Sequence, residues 1–160
     1  MSTAINRVDA TLFADYFQFY LWDKQLSPEA PTDWTDTDIS NRLKAAGNVV
    51  VICSIRNVTV PVTVEVFEHP IRYDPNLWDH IAECSLELPS GKLEVHECTG
   101  GSVATMHLAP GSYRVCAYYG GLGTVSQNGL EGQDRYLITL WPAPSAPLQV
   151  TKRWCGPNIE

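Results

Sequence analysis

Residues 48–67, Asn48-Val49-Val50-Val51-Ile52-Cys53-Ser54-Ile55-Arg56-Asn57-Val58-Thr59-Val60-Pro61-Val62-Thr63-Val64-Glu65-Val66-Phe67, decide the fold class. The first part, Asn48 to Arg56, centres on four consecutive β-branched residues, Val49 to Ile52. A run that short and apolar fits a central strand covered on both faces. In the second part Val60, Val62, Val64 and Val66 alternate with Pro61, Thr63, Glu65 and Phe67, the period of a strand with one face inward. Pro61 has no backbone donor, which places the start of this strand at a sheet edge or bulge.

The same pattern continues on both sides. Tyr16-Phe17-Gln18-Phe19-Tyr20-Leu21-Trp22 reads as a strand with both faces covered. Cys84 to Leu88, the turn Pro89-Ser90-Gly91, and Leu93 to Val95 read as a hairpin that pairs Leu88 with Leu93 and Leu86 with Val95. That register sets Cys84 opposite Glu97 and Cys98 on the other face, an unfavourable geometry for a Cys84–Cys98 disulfide. Further strands are expected at Ala104–Leu108, Tyr113–Tyr119, Tyr136–Trp141 and Leu148–Trp154, with Pro110-Gly111 turning between the first two. One helix is clearly signalled, over 36–46: Thr35 and Asp38 form a capping box, Trp34 and Ile39 occupy staple positions, and Ile39, Leu43 and Ala46 make a stripe ended by Gly47. Leu77, Trp78 and Ile81 raise a second short helical segment at 76–82. The expectation is a single mainly β domain over residues 1–160, an antiparallel β-sandwich with one short helix. At least seven strands form two packed sheets, and the helix covers one end or edge. Val49, Val51, Leu86, Val95, Val115 and Leu140 lie in the core, where an unpaired charge, as in Val51→Asp, destabilises severely.

Composition agrees with a folded globular chain: 160 residues, 44% hydrophobic and 18% charged. The Pro-rich stretches 28–31 and 142–147 are too short for obvious interdomain linkers. Residues 1–14 lack the features of a secretory signal, and no apolar stretch approaches the roughly 18 residues of a membrane span. Five cysteines, an odd number without a framework spacing, suit reduced thiols. The expected location is therefore the cytoplasm, without membrane contact. The net charge of −7 argues against direct nucleic-acid binding. Residues 1–47 hold seven acids and four bases, 48–99 eight and three, and 100–160 three and four, so the excess sits in the first two thirds.

Catalytic signatures are weak. Neither a Gly-x-Ser-x-Gly elbow nor a cysteine-protease motif is present, and Cys116, inside the run Tyr113 to Tyr118, reads as a buried inert thiol. His96-Glu97-Cys98 has metal-like spacing but lacks evident third and fourth ligands. Asp33, Asp36 and Asp38 superficially follow a calcium loop, yet the Gly and bidentate Glu of that motif are missing, and acids at a helix start are explained by its positive end. No cofactor and no metal are expected. Gly120-Gly121-Leu122-Gly123 is neither a dinucleotide fingerprint nor a P-loop; with 124–134 it makes a connection of about 15 residues, either functional or disordered. Trp22, Trp34, Trp78, Trp141 and Trp154 default to core packing, though an exposed aromatic among acids would anchor a basic protein.

Tyr16-Phe17-Gln18-Phe19, Asp33-Trp34-Thr35-Asp36 opening a helix, and Ala45-Ala46-Gly47 leading to the strand that ends at Arg56-Asn57 resemble the bacterial competence protein J family of nuclease inhibitors. The resemblance returns in Leu108-Ala109-Pro110-Gly111-Ser112-Tyr113. It implies stoichiometric binding to a nuclease, in an inhibitory or immunity-like role without enzymatic activity. The chain departs from the family pattern at His69 to His80 and in the glycine-rich loop 120–134. On this reading an acidic and aromatic surface containing Asp33, Trp34, Asp36, Asp38, Asp74 and Asp79 meets a basic protein partner. The runner-up is a ligand- or lipid-binding β-sandwich with a site formed by long loops. An enzyme using His96 and Cys98, or Asp74, Asp79 and His80, comes third. Neither the identity of the partner nor the oligomeric state is legible.

Overall fold

The computed structural model describes residues 3–46 and 48–156. Among them are strands β1 (Asn6–Phe13), β2 (Gln18–Asp23), β3 (Leu43–Ala46), β4 (Val49–Cys53), β5 (Thr59–Val66), β6 (His80–Leu88), β7 (Lys92–Glu97), β8 (Ser102–His107), β9 (Gly111–Gly120), β10 (Arg135–Pro142) and β11 (Gln149–Lys152), with helix α1 at Asp36–Asn41. Six strands pair in the order β1-β5-β10-β9-β6-β11, and five in the order β3-β4-β2-β7-β8. The pairings are antiparallel except for β5 with β10, which run parallel, with Tyr136 beside Val62 and Leu140 beside Val66.

The two sheets face each other across one apolar cluster. Leu21, Val50, Ile52 and Val95 enter it from the five-stranded sheet, and Val62, Val64, Leu86, Val115, Ile138 and Leu140 from the six-stranded sheet. Strand period two sends the alternate residues outward, and on β2, β4 and β9 most of these are buried as well. Residues 24–35 cross the outer face of the five-stranded sheet, where Ala30 and Trp34 pack on Tyr20, Trp22, Val49 and Val51. Residues 67–79 do the same for the other sheet, laying Ile71, Tyr73 and Trp78 on Ile81, Cys116, Tyr118 and Trp141. This double covering buries β2 and β4 on both faces, but the run read from Tyr16 enters the sheet only at Gln18: Tyr16 and Phe17 belong to a 3₁₀ turn, and Tyr16 is exposed. All six expected core residues, Val49, Val51, Leu86, Val95, Val115 and Leu140, are buried.

Several expectations are corrected. The segment Cys84 to Val95 is not a hairpin: β6 pairs with β9 and β11, β7 pairs with β2 and β8, and the turn between them passes from one sheet to the other. Cys84 lies opposite Val115 and Glu97 opposite Phe19. Alternation reveals which face of a strand points inward, and two strands facing each other across a core alternate just as two paired strands do. The corner is fixed by buried Asp23, whose carboxylate accepts the Ser90 amide (2.8 Å), the Ser90 hydroxyl (2.6 Å) and the Gln25 amide (2.8 Å). Gly91 has φ +74° there, and a Cβ at that position would collide with the Leu108 carbonyl.

The helix is shorter than expected. The capping box forms as read, but α1 ends at Asn41, Arg42 takes a left-handed conformation (φ 58°), and Leu43–Ala46 becomes an edge strand on β4. Pairing with β4 and the complete burial of Leu43 outweigh a marginal helix of eleven residues. Gly47, the expected stop, lies outside the described residues. At 76–82 only a single 3₁₀ turn, Pro75–Leu77, precedes β6. Pro61 sits in an inner strand, not at an edge, yet the ladder with β10 begins only at Val62. The missing donor therefore precedes that ladder.

Val50 is fully buried in the main cluster, between Leu21 and Ala45 on the neighbouring strands. Val50→Asp is expected to cost more than about 3 kcal/mol, read by urea unfolding. Val51→Asp should cost less, because Lys44 stands directly opposite Val51 and offers the new carboxylate a cation. Equal losses for the two variants would contradict this assignment of faces.

Candidate functional site

The acidic segment 33–38 is built around Thr35. Its hydroxyl accepts the Asp38 amide (3.1 Å), and the Asp38 carboxylate accepts the Thr35 amide (3.0 Å) and the Lys44 ammonium (2.6 Å). The hydrogen bond from Lys44 is the main cause holding the Asp38 carboxyl below the usual carboxylate range, against the opposing effect of burial. Lys44 also lies 5.4 Å from the centre of the Trp34 ring. Trp34 packs on Tyr20, Trp22, Val49 and Val51, while Ile39 stays 41% exposed, so the expected staple is not what holds the helix. Asp33 and Asp36 are exposed and take part in no ion pair among the described residues.

Asp74 and Asp79 stand apart from that segment, on the covering stretch 67–79 that leads into β6. Asp74 caps the turn Pro75–Leu77 by accepting the Asn76 amide (3.0 Å), and Asp79 accepts the Leu122 amide (2.8 Å), anchoring the glycine-rich loop. His80 is fully buried against Tyr119. Its Nδ1 accepts the Trp154 amide (3.0 Å), so Nε2 carries the proton that it donates to the Asn41 carbonyl (2.7 Å). These three residues do not converge on a common reacting atom. His80 instead ties the end of α1 to the start of β6 and the segment after β11.

His96 and Cys98 share the outer face of the five-stranded sheet. The His96 ring lies 4.8 Å from that of Trp22, and the Tyr20 hydroxyl donates to the Cys98 sulfur at 3.1 Å. Cys84, which the expected hairpin set opposite Glu97, is in the other sheet. Burial pushes the Cys116 thiol up to about 11 and the Cys84 thiol up to about 12, which leaves both protonated and inert at neutral pH. No group of three or more His, Cys, Asp or Glu among the described residues is arranged to hold a metal ion.

The loop 120–134, open to either reading in the sequence, is a hydrogen-bonded element. The Ser126 amide donates to the Glu131 carbonyl (2.7 Å), and the Gln133 amide to the Thr124 hydroxyl (2.7 Å). At its end buried Asp134 accepts Arg56 Nε (2.6 Å) and the Tyr136 hydroxyl (2.7 Å), and the Ile55 amide donates to that same hydroxyl (2.8 Å). Sequence reading missed this network because Arg56 and Asp134 are 78 residues apart. A groove of about 560 Å³ has a mixed lining, with Asp38, Asn41, Lys44 and Ser85 beside Ala45, Pro147 and Leu148.

No family model matches the sequence, and no curated protein matches it. Solved structures share the fold. ComJ, inhibitor of the DNA degrading activity of NucA, from Bacillus subtilis, superposes with a TM-score of 0.67 at 15% identity, over 89% of this chain and 99% of that one. A structure described as crocagin biosynthetic gene J gives a TM-score of 0.56 at 21% identity, over 88% of this chain and 100% of that one. The resemblance read from residues 16–57 thus extends to the architecture of nearly the whole chain.

Burial lowers the pKa of His80 to about 4, against 6.5 for an ordinary histidine. Between those values the unfolded chain binds a proton that the folded chain refuses. The His80 contribution is therefore fully present above about pH 6.5 and is lost as pH falls through about 4, a difference of up to about 3 kcal/mol. Urea unfolding from about pH 7 to pH 4 should show this slope, reduced in a folded His80→Gln variant. An identical slope in that variant would assign the pH dependence to other groups.

Proposed function

We propose that this chain is a one-domain, non-enzymatic inhibitor of a nuclease, acting in the cytoplasm by stoichiometric binding in an immunity-like role. The observation that carries this reading is the fold shared with ComJ, whose own description is that of an inhibitor of a DNA-degrading nuclease. Electrostatics supports it. A nuclease must hold a polyanion in a basic cleft, and a chain of net charge −7 is attracted to such a surface. The five free cysteines suit a reducing compartment, and no described helix is long and apolar enough to cross a membrane.

Within this reading Asp33 and Asp36 are the charges free to steer the encounter, with Trp34 beside them at the helix start. Asp38, Asp74 and Asp79 contribute to the same negative field while also holding α1, the turn at Pro75–Leu77 and the loop after β9. Exposed charges of this kind act mainly on the association rate and its salt dependence.

The test is a titration of a DNA-degrading nuclease from the same cell. Activity should fall linearly and vanish at one equivalent of inhibitor. The double variant Asp33→Asn, Asp36→Asn should associate about tenfold more slowly at low salt, with dissociation little changed. Absence of inhibition would overturn the function. Inhibition with unchanged rate and affinity in the double variant would overturn the role of these two aspartates.

A further inference from the structure

Strand direction gathers the β1–β2, β4–β5, β7–β8 and β9–β10 loops at one end of the sandwich, and direct contacts join them. The Ala14 amide donates to the Val58 carbonyl (3.0 Å), the Ser54 amide to the Phe17 carbonyl (3.0 Å), the Thr99 hydroxyl to Asp15 (2.6 Å) and the Phe13 amide to Glu97 (2.6 Å). Arg56 and Asp134 add the ninth-to-tenth strand loop to the group.

Two aromatic side chains project from this end. Tyr16 is 66% exposed and Phe13 42% exposed, in a molecule whose other aromatic rings are buried or half-buried among the described residues. Tyr16 and Phe17 are consecutive residues at positive φ, 56° and 61°, and this backbone turns the Tyr16 ring away from the core that takes Phe19. Exposed tyrosines and phenylalanines on ordered backbone are favoured anchors of protein interfaces.

The charge around these rings selects the partner. The four loops, residues 13–17, 54–58, 97–101 and 121–134, contain the acids Asp15, Glu97, Glu131 and Asp134 and the single base Arg56; further bases at this end, Arg135 opening β10 and Lys152 and Arg153 at the end of β11, lie two or more strands away from β1. Arg56 and Asp134 neutralise each other inside the protein. Asp15, Glu97 and Glu131 remain, and none has a cationic partner among the described ion pairs. A second copy of this chain, a nucleic acid and an anionic membrane would all meet like charge here. A basic protein would meet opposite charge with aromatic contact at its centre.

We propose that this end of the sandwich is a protein-docking surface for a basic partner, with Phe13 and Tyr16 as its apolar anchors and Asp15, Glu97 and Glu131 facing the partner's cations. The proposal deepens the inhibitor reading by adding the contact that slows dissociation to the aspartates that speed the encounter. It is also testable without a nuclease.

In the first arm, a short peptide of alternating lysine and leucine is titrated into the isotope-labelled protein and followed by NMR. Amide shifts should concentrate in residues 13–17 and 97–101, fade with salt, and be lost in Tyr16→Asn, a replacement that tolerates positive φ. Shifts confined to other regions, or none, overturn the proposal. In the second arm, against a nuclease that the wild type inhibits, Tyr16→Asn and Phe13→Thr should each raise Kd about tenfold or more through faster dissociation, with the melting temperature retained. Folded variants that inhibit like the wild type overturn the docking surface and leave the inhibitor reading standing. Loop-end shifts in a protein that inhibits no nuclease do the reverse.

Discussion

Strands β5 and β10 lie side by side and parallel, and no hairpin sets their register. That task falls to the ion pair between Arg56, three residues before β5, and Asp134, the residue before β10. Tyr136 closes the arrangement from inside the core by donating to Asp134 and accepting from the Ile55 amide. Both charges are buried, and removal of either partner would strand the other in a dry environment, typically a loss of 3–5 kcal/mol. The pair thus does more than add attraction. It fixes where two strands from distant parts of the chain enter the sheet, and with them the loops that lead in.

The two outer faces are held by comparable means. Glu83, buried on the six-stranded sheet, receives Arg114 Nε at 2.6 Å and Arg72 at 2.5 Å. Arg114 also donates to the carbonyls of Ala146 and Pro147, which fastens the Pro-rich stretch to the sheet. On the opposite face Trp22 donates to Glu94 at 2.8 Å beneath the segment 24–35. With the middle of each face covered by the protein's own chain, the exposed backbone turns and loops lie mainly at the ends and edges of the sandwich. Functional loops carried at one end of a rigid two-sheet scaffold are a common solution in β-sandwiches.

The fold class was legible because valine alternation in 60–66 and the unbroken Val49–Ile52 run are local signals. So was the capping box, whose partners Thr35 and Asp38 are three residues apart. Pairing was not legible. Leu88 and Leu93 are both buried, but period two does not say whether two inward faces are neighbours in one sheet or opposed across the core. Strand β1 escaped notice although Val8, Ala10 and Leu12 alternate with Arg7, Asp9 and Thr11, because its large apolar side chains, Leu12 and Phe13, come only at its end and polar residues dominate the rest. The acidic aspartates were readable as charges, whereas the loop end is assembled from Tyr16, Arg56, Glu97 and Asp134, which only tertiary structure brings together.

On the proposed reading the loop-bearing end and the exposed aspartates at the start of α1 form the working surface, while the covering segments 67–79 and 142–148 serve the fold. The measurement is hydrogen exchange of the protein alone and in complex with a nuclease that it is found to inhibit. Slower exchange on binding in residues 13–17, 33–36 and 97–101, with residues 67–79 and 142–148 unchanged, is the predicted result. Protection confined to those two segments would contradict it.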